Sequence, residues 1–274
     1  MAAEGTELAV CAIRAAPRRR AERGIQAAMV KNPSPPAREP SLHGDLRRRV
    51  RVDTTAMAWQ PSPSRTVFRK RVHQVGGAES GQVTSIVRYE PGSSFHAHEH
   101  PDGEEILVLE GVFSDEHGDF AEGTYLLNPE GFRHAPFSRE GCLLFVKLRQ
   151  FAGQGRRHVA LRTRDLAWQP DGRAGVEWKP LYVGRDDGKD FADETHLERF
   201  APGTPPAPVE YPIGAEILVL AGSLEEGDAV HPTGTWLRFP IASAIAPSSA
   251  QGCELYVKTG ALPSLRHESP GHTA

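Results

Sequence analysis

The chain has 274 residues, of which 39 % are hydrophobic, and a formal net charge of −3. That length can bury one large core or two smaller ones, and no apolar run approaches the eighteen residues of a membrane span. The three cysteines, Cys11, Cys142 and Cys253, are too few and too scattered for a disulfide framework or a structural zinc site. We therefore expect a cytoplasmic protein that does not associate with membranes.

The charge is unevenly distributed along the chain. Residues 1–52 contain eleven Lys or Arg and five Asp or Glu, which leaves a net charge of −9 on the remainder. A segment with this negative charge is repelled by the phosphate backbone of a nucleic acid, so we do not expect a nucleic acid as partner. The basic start has no apolar segment typical of a secretory signal. We expect residues 1–44 to be a disordered extension, with a transit peptide or sequence upstream of the true start as alternatives.

The remainder of the chain contains one pattern twice. A shift of 111 positions places residues 88–147 on residues 199–258 with 24 identities in 60 positions and no gap, where average residue usage would give about four. The motif AWQP, which also occurs twice, marks the start of each repeat. Duplication therefore predicts a first copy at residues 45–155, a second copy at residues 156–262, and a disordered tail at residues 263–274.

Both copies are predicted to be β-structure. The runs ILVLEGVF (residues 106–113) and LLFVKLRQF (residues 143–151) are short and apolar, and turn clusters such as PEG, HGD and AEGT lie between them. Proline is frequent, with 23 in the chain, and neither copy has a long 3.6-residue apolar period. Many short strands with regular turn signals are typical of a sandwich or a small barrel.

The first copy has two segments with the spacing of metal ligands. His96 and His98 are two residues apart, so on a strand both imidazoles project from one face. Glu104 follows six residues after His98, and a Pro-x-Gly turn precedes His134. Imidazole and carboxylate groups are ligands of divalent transition metals.

The second copy serves as an internal control for these residues. Four of its turn residues match those of the first copy, whereas none of its residues at the four candidate positions can bind a metal. The matching turn residues are Gly203, Gly222, Pro240 and Gly252. Glu105 recurs as Glu216, whereas Glu104 does not recur, which favours Glu104 as the ligand and a structural role for Glu105. The residues at the four positions are Ala207, Val209, Ala215 and Ile245.

The two segments resemble the paired cupin motifs, in which two His and a Glu of one motif and a His of the other hold one metal ion. The resemblance implies an all-β chain of two tandem cupin domains, each a double-stranded β-helix or jelly-roll barrel. It implies one divalent ion in the first copy, Zn or Fe(II) with Mn or Ni also compatible, held by His96, His98, Glu104 and His134. The gap from His98 to Glu104 is longer than the family's usual three or four residues, which leaves Glu104 or Glu105 open.

Residues 103–148 are most similar to the cupin domain of the anti-sigma factor ChrR, a zinc-binding regulatory domain. The resemblance implies a module that senses a small molecule or oxidative stress. The sequence lacks the His-x3-Cys-x2-Cys pattern with which ChrR holds its sigma factor, so only the cupin part is implied. The alternative is a non-haem Fe(II) dioxygenase similar to the diketone- and acetophenone-cleaving cupins. Either reading implies a small-molecule ligand or substrate, a second copy packed against the first, and possible homodimers.

Overall fold

A computed structural model describes residues 41–77 and 79–266. The described residues form 24 short strands and three single turns of 3-10 helix, which confirms the predicted all-β class. None of these helices is long and apolar enough to cross a membrane. The predicted extension and tail lie mostly outside the described residues. Their described ends are ordered, since Ser41–Leu42 is a strand and Leu262–Ser264 is a 3-10 helix.

The strands fall into two sets that follow the duplication. The first set is β1 (Ser41–Leu42), β2 (Val50–Asp53), β3 (Gln60–Pro61), β4 (Val67–Val75), β5 (Gln82–Tyr89), β6 (Ser93–Ser94), β7 (His98–His100), β8 (Glu104–Asp115), β9 (Gly118–Ala121), β10 (Thr124–Asn128), β11 (Phe132–His134), β12 (Phe137–Ser138) and β13 (Cys142–Leu148). The second set is β14 (Val159–Arg162), β15 (Gln169–Pro170), β16 (Val176–Val183), β17 (Glu194–Phe200), β18 (Val209–Tyr211), β19 (Ala215–Glu226), β20 (Ala229–Pro232), β21 (Thr235–Phe239), β22 (Ser243–Ile245), β23 (Pro247–Ser248) and β24 (Cys253–Thr259). The other two 3-10 helices are Thr163–Asp165 and Gly184–Asp186.

Each copy is an antiparallel jelly-roll barrel, and the two barrels have the same strand order. In the first copy the main sheet runs β4-β5-β13-β8-β10, with β7 and β11 paired as a separate two-stranded sheet. The second copy repeats this as β16-β17-β24-β19-β21 with β18 and β22 paired. The predicted pair of tandem cupin barrels is thus confirmed.

The copies exchange their first strands. Strand β2 precedes the first barrel in sequence but pairs with β21 of the second, where Val50 lies opposite Arg238. Strand β14 precedes the second barrel but pairs with β10 of the first, where Val159 lies opposite Leu127. Because each copy completes a sheet of the other, the two barrels are interlocked.

Three hydrophobic clusters account for the apolar core. One fills the first barrel and includes Ile106 and Leu144, and a second fills the second barrel and includes Ile217 and Leu255. The third lies between the barrels and takes residues from both, among them Phe145 and Tyr256. Those two rings meet edge to face with centroids 5.1 Å apart, so the outer faces of the two sheets are buried against each other.

Two reciprocal ion pairs lie within this apolar interface. Lys147 of β13 pairs with Glu216 of the second copy, and Lys258 of β24 lies 3.1 Å from Glu105 of the first. All four residues are at most 2 % exposed. Burial lowers the pKa of Lys258, but the charges of Glu105 and Asp193 outweigh that effect and raise it above its usual value, so the ammonium stays charged.

Glycines at equivalent positions allow the strands to approach each other closely. Gly111 has φ +75° and a Cβ there would lie 2.3 Å from the carbonyl oxygen of Gly141. Gly222 has φ +71°, and its Cβ would lie 2.0 Å from the oxygen of Gly252. Any other residue would clash with the neighbouring backbone, which explains why the repeat keeps both glycine pairs.

The buried ion pairs predict a large loss of stability when one cation is removed. Lys258→Met should lower the free energy of unfolding by about 3–5 kcal/mol, because it leaves Glu105 and Asp193 buried without their shared cation. Urea denaturation at neutral pH measures this. Arg199→Met, which removes an exposed pair with Glu177, is the control and should cost about 1 kcal/mol or less. Equal effects would contradict the structural role of the interface pair.

A second prediction concerns His73, a fully buried residue at the interface. Burial lowers its pKa from 6.5 to about 4, and Arg238 Nη1 donates to its Nδ1 at 3.2 Å. The unfolded chain therefore takes up a proton before the folded chain does, so stability falls as the pH drops from about 6.5 to about 4. His73→Gln should remove this part of the pH dependence, as shown by urea midpoints at pH 7 and pH 5. An unchanged slope would exclude His73 as its source.

Candidate metal centre

Three histidines of the first copy converge because two short strands pair with each other. His98 and His100 stand two apart on β7, so their rings share one face. His134 lies directly opposite His98 on β11. The ligating nitrogens of the three rings all lie within 4.8 Å of one another, and these residues are the group of three or more His, Cys, Asp or Glu in the described chain that could hold a metal ion.

Two tight turns hold these strands in register. The Gly103 amide donates to the His100 carbonyl oxygen at 3.1 Å, which closes a four-residue turn between β7 and β8. The Gly131 amide donates to the same oxygen at 2.9 Å. Both glycines have positive φ, +72° and +83°. The two predicted motifs are therefore connected at one carbonyl group, and Glu104 follows directly on the first turn.

The side-chain atoms lie at the separations expected of ligands around one ion. His100 Nε2 lies 3.0 Å from His134 Nε2, and Glu104 Oε2 lies 3.4 Å from the first and 3.6 Å from the second. Ligand atoms about 2.1 Å from a shared ion and at right angles to one another would be about 3.0 Å apart. His100, His134 and Glu104 therefore have separations that suit one divalent ion, and the ligating nitrogen of His98 lies within 4.8 Å of those of the other two histidines.

Hydrogen bonds on the far side of two rings fix which nitrogen faces the centre. His98 Nδ1 donates to the backbone oxygen of His96 at 2.9 Å, and His134 Nδ1 donates to Asp115 at 3.0 Å. Burial alone would raise the pKa of Asp115, but the hydrogen bonds from His134 and from the His117 amide hold it below its usual value. An ionised Asp115 orients His134 and leaves its Nε2 lone pair free for a metal.

His100 and Glu104 are likewise held in a state that suits metal binding. Burial lowers the pKa of His100, which keeps its ring neutral as a metal ligand requires. The Asn128 amide donates to Glu104 at 3.0 Å and orients that carboxylate. Three imidazoles and a carboxylate thus line one small cavity.

The structure brings together three of the four residues predicted as metal ligands. It brings His98, Glu104 and His134 together, but His96 is exposed and precedes β7, so His100 takes its place in the set. His100, which was not among the four predicted ligands, is only 7 % exposed. Glu105 points to Lys258, away from the histidines.

A signal for His100 was present in the sequence. Counting from His98 and His100, three residues separate the second histidine from Glu104, which is the usual spacing in the family. Counting from His96 and His98 produced the long gap. Comparison with the second copy could not decide between His96 and His100, because neither of the equivalent residues, Ala207 and Tyr211, is a histidine.

The second barrel fills the same space with apolar side chains. Tyr211 stands where the first copy has His100, and it packs against Phe239 with ring centroids 5.5 Å apart. Phe239 in turn replaces Asn128, and Ala215 replaces Glu104. All three are buried, so the larger ring of Phe239 takes the volume that the smaller alanine frees.

Two cavities of the described chain differ in the chemistry of their linings. The larger, about 430 Å³, lies between the copies and contains none of the four candidate ligands. The smaller, about 80 Å³, lies inside the first barrel beside His98, His100, Glu104 and His134. The smaller one is therefore the candidate site, since it alone combines a cavity with convergent ligand atoms.

Comparison with known families and structures agrees with this fold. The model of the ChrR cupin-like domain family matches twice, at residues 47–152 and 156–263. No curated protein matches the chain significantly.

Among solved structures, a putative dioxygenase from Nostoc punctiforme is 16 % identical with a TM-score of 0.64, over 82 % of this chain and 88 % of that one. A bacterial pirin in complex with nickel(II) from Escherichia coli is 15 % identical with a TM-score of 0.57, over 81 % and 100 %. A mutant of Bacillus subtilis oxalate decarboxylase is 11 % identical with a TM-score of 0.55, over 83 % and 80 %. At these identities the likeness extends to the fold alone.

The ligand set predicts which variants of the protein keep their metal ion and which lose it. Wild-type protein should hold about one divalent ion per chain, and His100→Ala combined with His134→Ala should lose it, because only two of four ligand atoms remain. His96→Ala is the control and should keep its metal. Elemental analysis of purified protein measures all three. Loss of metal from His96→Ala with retention in the double variant would instead favour the set inferred from sequence.

Proposed function

The chain belongs to the ChrR cupin-like domain family, and on that premise we propose that it is a metal-dependent sensing module whose one mononuclear divalent ion is held in the first copy. The observation that carries the proposal is the convergence of His98, His100 and His134 with Glu104 around one point. A divalent ion bound there would act as a Lewis acid with positions left open to a small molecule. The second copy contributes a strand and an interface rather than a second site.

The two buried thiols do not suit a response to oxidants. Cys142 and Cys253 are each 6 % exposed, and burial raises the pKa of both to about 11. Oxidants react with exposed thiolates, and these groups are buried and protonated. Neither thiol is therefore a suitable target for an oxidant, which favours a small molecule bound beside the metal ligands as the signal.

A second candidate function is a non-haem Fe(II) dioxygenase that cleaves a small diketone. Four donor atoms from the protein leave two positions of a six-coordinate ion unfilled, which suits a chelating substrate. In that reading the residues of this chain hold the ion, and Asp115 and Asn128 keep its ligands oriented. The metal identity separates the two readings, since affinity alone does not select among Zn, Fe, Mn and Ni.

The two functions give opposite results in one experiment. The sensing proposal expects tightly held zinc in the purified protein and no oxygen uptake with pentane-2,4-dione, before or after reconstitution with Fe(II). An oxygen electrode measures uptake, and elemental analysis identifies the metal. Sustained uptake by the Fe(II) protein that is abolished in His134→Ala, but not in His96→Ala, would overturn sensing in favour of the dioxygenase.

A further inference from the structure

The cavity beside the metal ligands carries polar groups that metal binding does not use. Strand β5 presents Val83, Ser85, Val87 and Tyr89 to the cavity, and the neighbouring strand β4 presents Arg69. Arg69 lies opposite Val87 in the sheet register. Apart from the metal ligands, three hydrogen-bonding side chains thus line a barrel interior that is otherwise apolar.

Two of these side chains are buried without a partner. Tyr89 is 7 % exposed and Ser85 is 1 % exposed. Neither hydroxyl forms a hydrogen bond to any of the described residues, although buried hydroxyls normally have one. The Tyr89 ring is fixed edge to face against Phe95 and Phe113, with centroids 5.7 and 5.9 Å apart. A rigid, unpartnered hydroxyl facing a cavity can donate a hydrogen bond to a bound molecule.

Arg69 supplies a positive charge with donors to spare. Its side chain is only 13 % exposed, and Nη1 donates to both oxygens of Glu79 at 2.8 and 3.0 Å. The pair leaves Nε and Nη2 without a hydrogen bond among the described residues. Since guanidinium donors suit the two oxygens of a carboxylate, Arg69 can bind an anion without giving up Glu79.

The second copy lacks these groups as it lacks the metal ligands. Trp178 stands at the position of Arg69, His196 at that of Ser85, and Phe200 at that of Tyr89. The scaffold residue next to Arg69, Lys70, is kept as Lys179, and both stack on a tryptophan with the ammonium 4.4 Å from the ring centroid. Arg69, Ser85 and Tyr89 therefore vary together with the metal ligands and not with the fold.

We infer that the cavity of the first copy binds a small organic carboxylate between the metal ligands and Arg69, with Tyr89 and Ser85 donating hydrogen bonds to it. This inference rests on the proposed function, because it names the ligand class of the same site. A volume of about 80 Å³ has room for a few water-sized groups and not for a drug-sized molecule. The walls of Val67, Ile106 and Leu144 suit a short carbon chain better than an inorganic oxyanion, which needs donors on all sides.

Titration of the purified holoprotein with propionate, propionamide and inorganic phosphate tests the inference by calorimetry. Propionate should bind, and the neutral amide and phosphate should each bind at least about tenfold more weakly, because only the carboxylate pairs with Arg69 and fits the apolar walls. Arg69→Gln should weaken propionate binding by about tenfold or more. Tyr89→Phe, which introduces the residue of the second copy, should weaken it by about threefold to tenfold.

Arg71→Gln is the matched control. Arg71 lies on the same strand and also contacts Glu79, at 3.5 Å, but it does not line the cavity, so propionate binding should not change. Propionate binding that equals propionamide binding, or that survives Arg69→Gln, would overturn the inference, and preference for phosphate would overturn the organic ligand.

Metal content is measured on every sample, so that a failure of the carboxylate site can be distinguished from a failure of the proposed metal-dependent function. Loss of propionate binding in Arg69→Gln with full metal content supports the carboxylate site. A wild-type protein without metal would refute the proposed function alone, and its propionate titration would still decide the role of Arg69.

Discussion

The buried interface between the two copies is the constraint on which the rest of the structure depends. Two apolar sheet faces meet around reciprocal Lys–Glu pairs, Lys147 with Glu216 and Lys258 with Glu105. Such pairs contribute little net stability, because burying charge costs about as much as the pairing returns. They do specify one alignment, since any other register would leave a charge buried without its partner. The exchanged strands β2 and β14 then connect the barrels into one unit.

The interface also explains why a second copy without metal ligands can persist. Its strand β14 completes the first barrel, and its Glu216 neutralises Lys147. Inside the second barrel, Tyr211, Phe239 and Ala215 replace polar groups with a packed apolar core. A copy relieved of ligand binding can thus be optimised for packing, whereas the first copy keeps buried hydroxyls and imidazoles that packing alone would not favour.

In the candidate site, unlike in the second barrel, polar groups stay buried although their burial costs stability. Its histidines, carboxylates and hydroxyls are buried in an apolar barrel, where each unpaired polar group is costly. Asp115 and Asn128 satisfy the outer sides of His134 and Glu104, while the inner sides face one another. Two adjacent glutamates have different roles: Glu104 faces the histidines of the site, and Glu105 faces Lys258 of the interface. Alternation along strand β8 directs the two carboxylates to opposite faces.

The duplication, the all-β class and the copy that holds the candidate site could be predicted from the order of residues alone. The repeat also favoured Glu104 over Glu105, because a residue kept in the metal-free copy serves the shared scaffold, but the spacing from His98 left the choice open. Which histidines enter the barrel depends on the pairing of strands. His96, His98 and His100 have the same parity, so strand alternation alone cannot choose between them, and the pairing of His98 with His134 sets the register. The exchange of β2 and β14 and the placing of Arg69 in the same cavity wall as the histidines likewise depend on contacts between strands far apart in the chain, which local pattern does not encode.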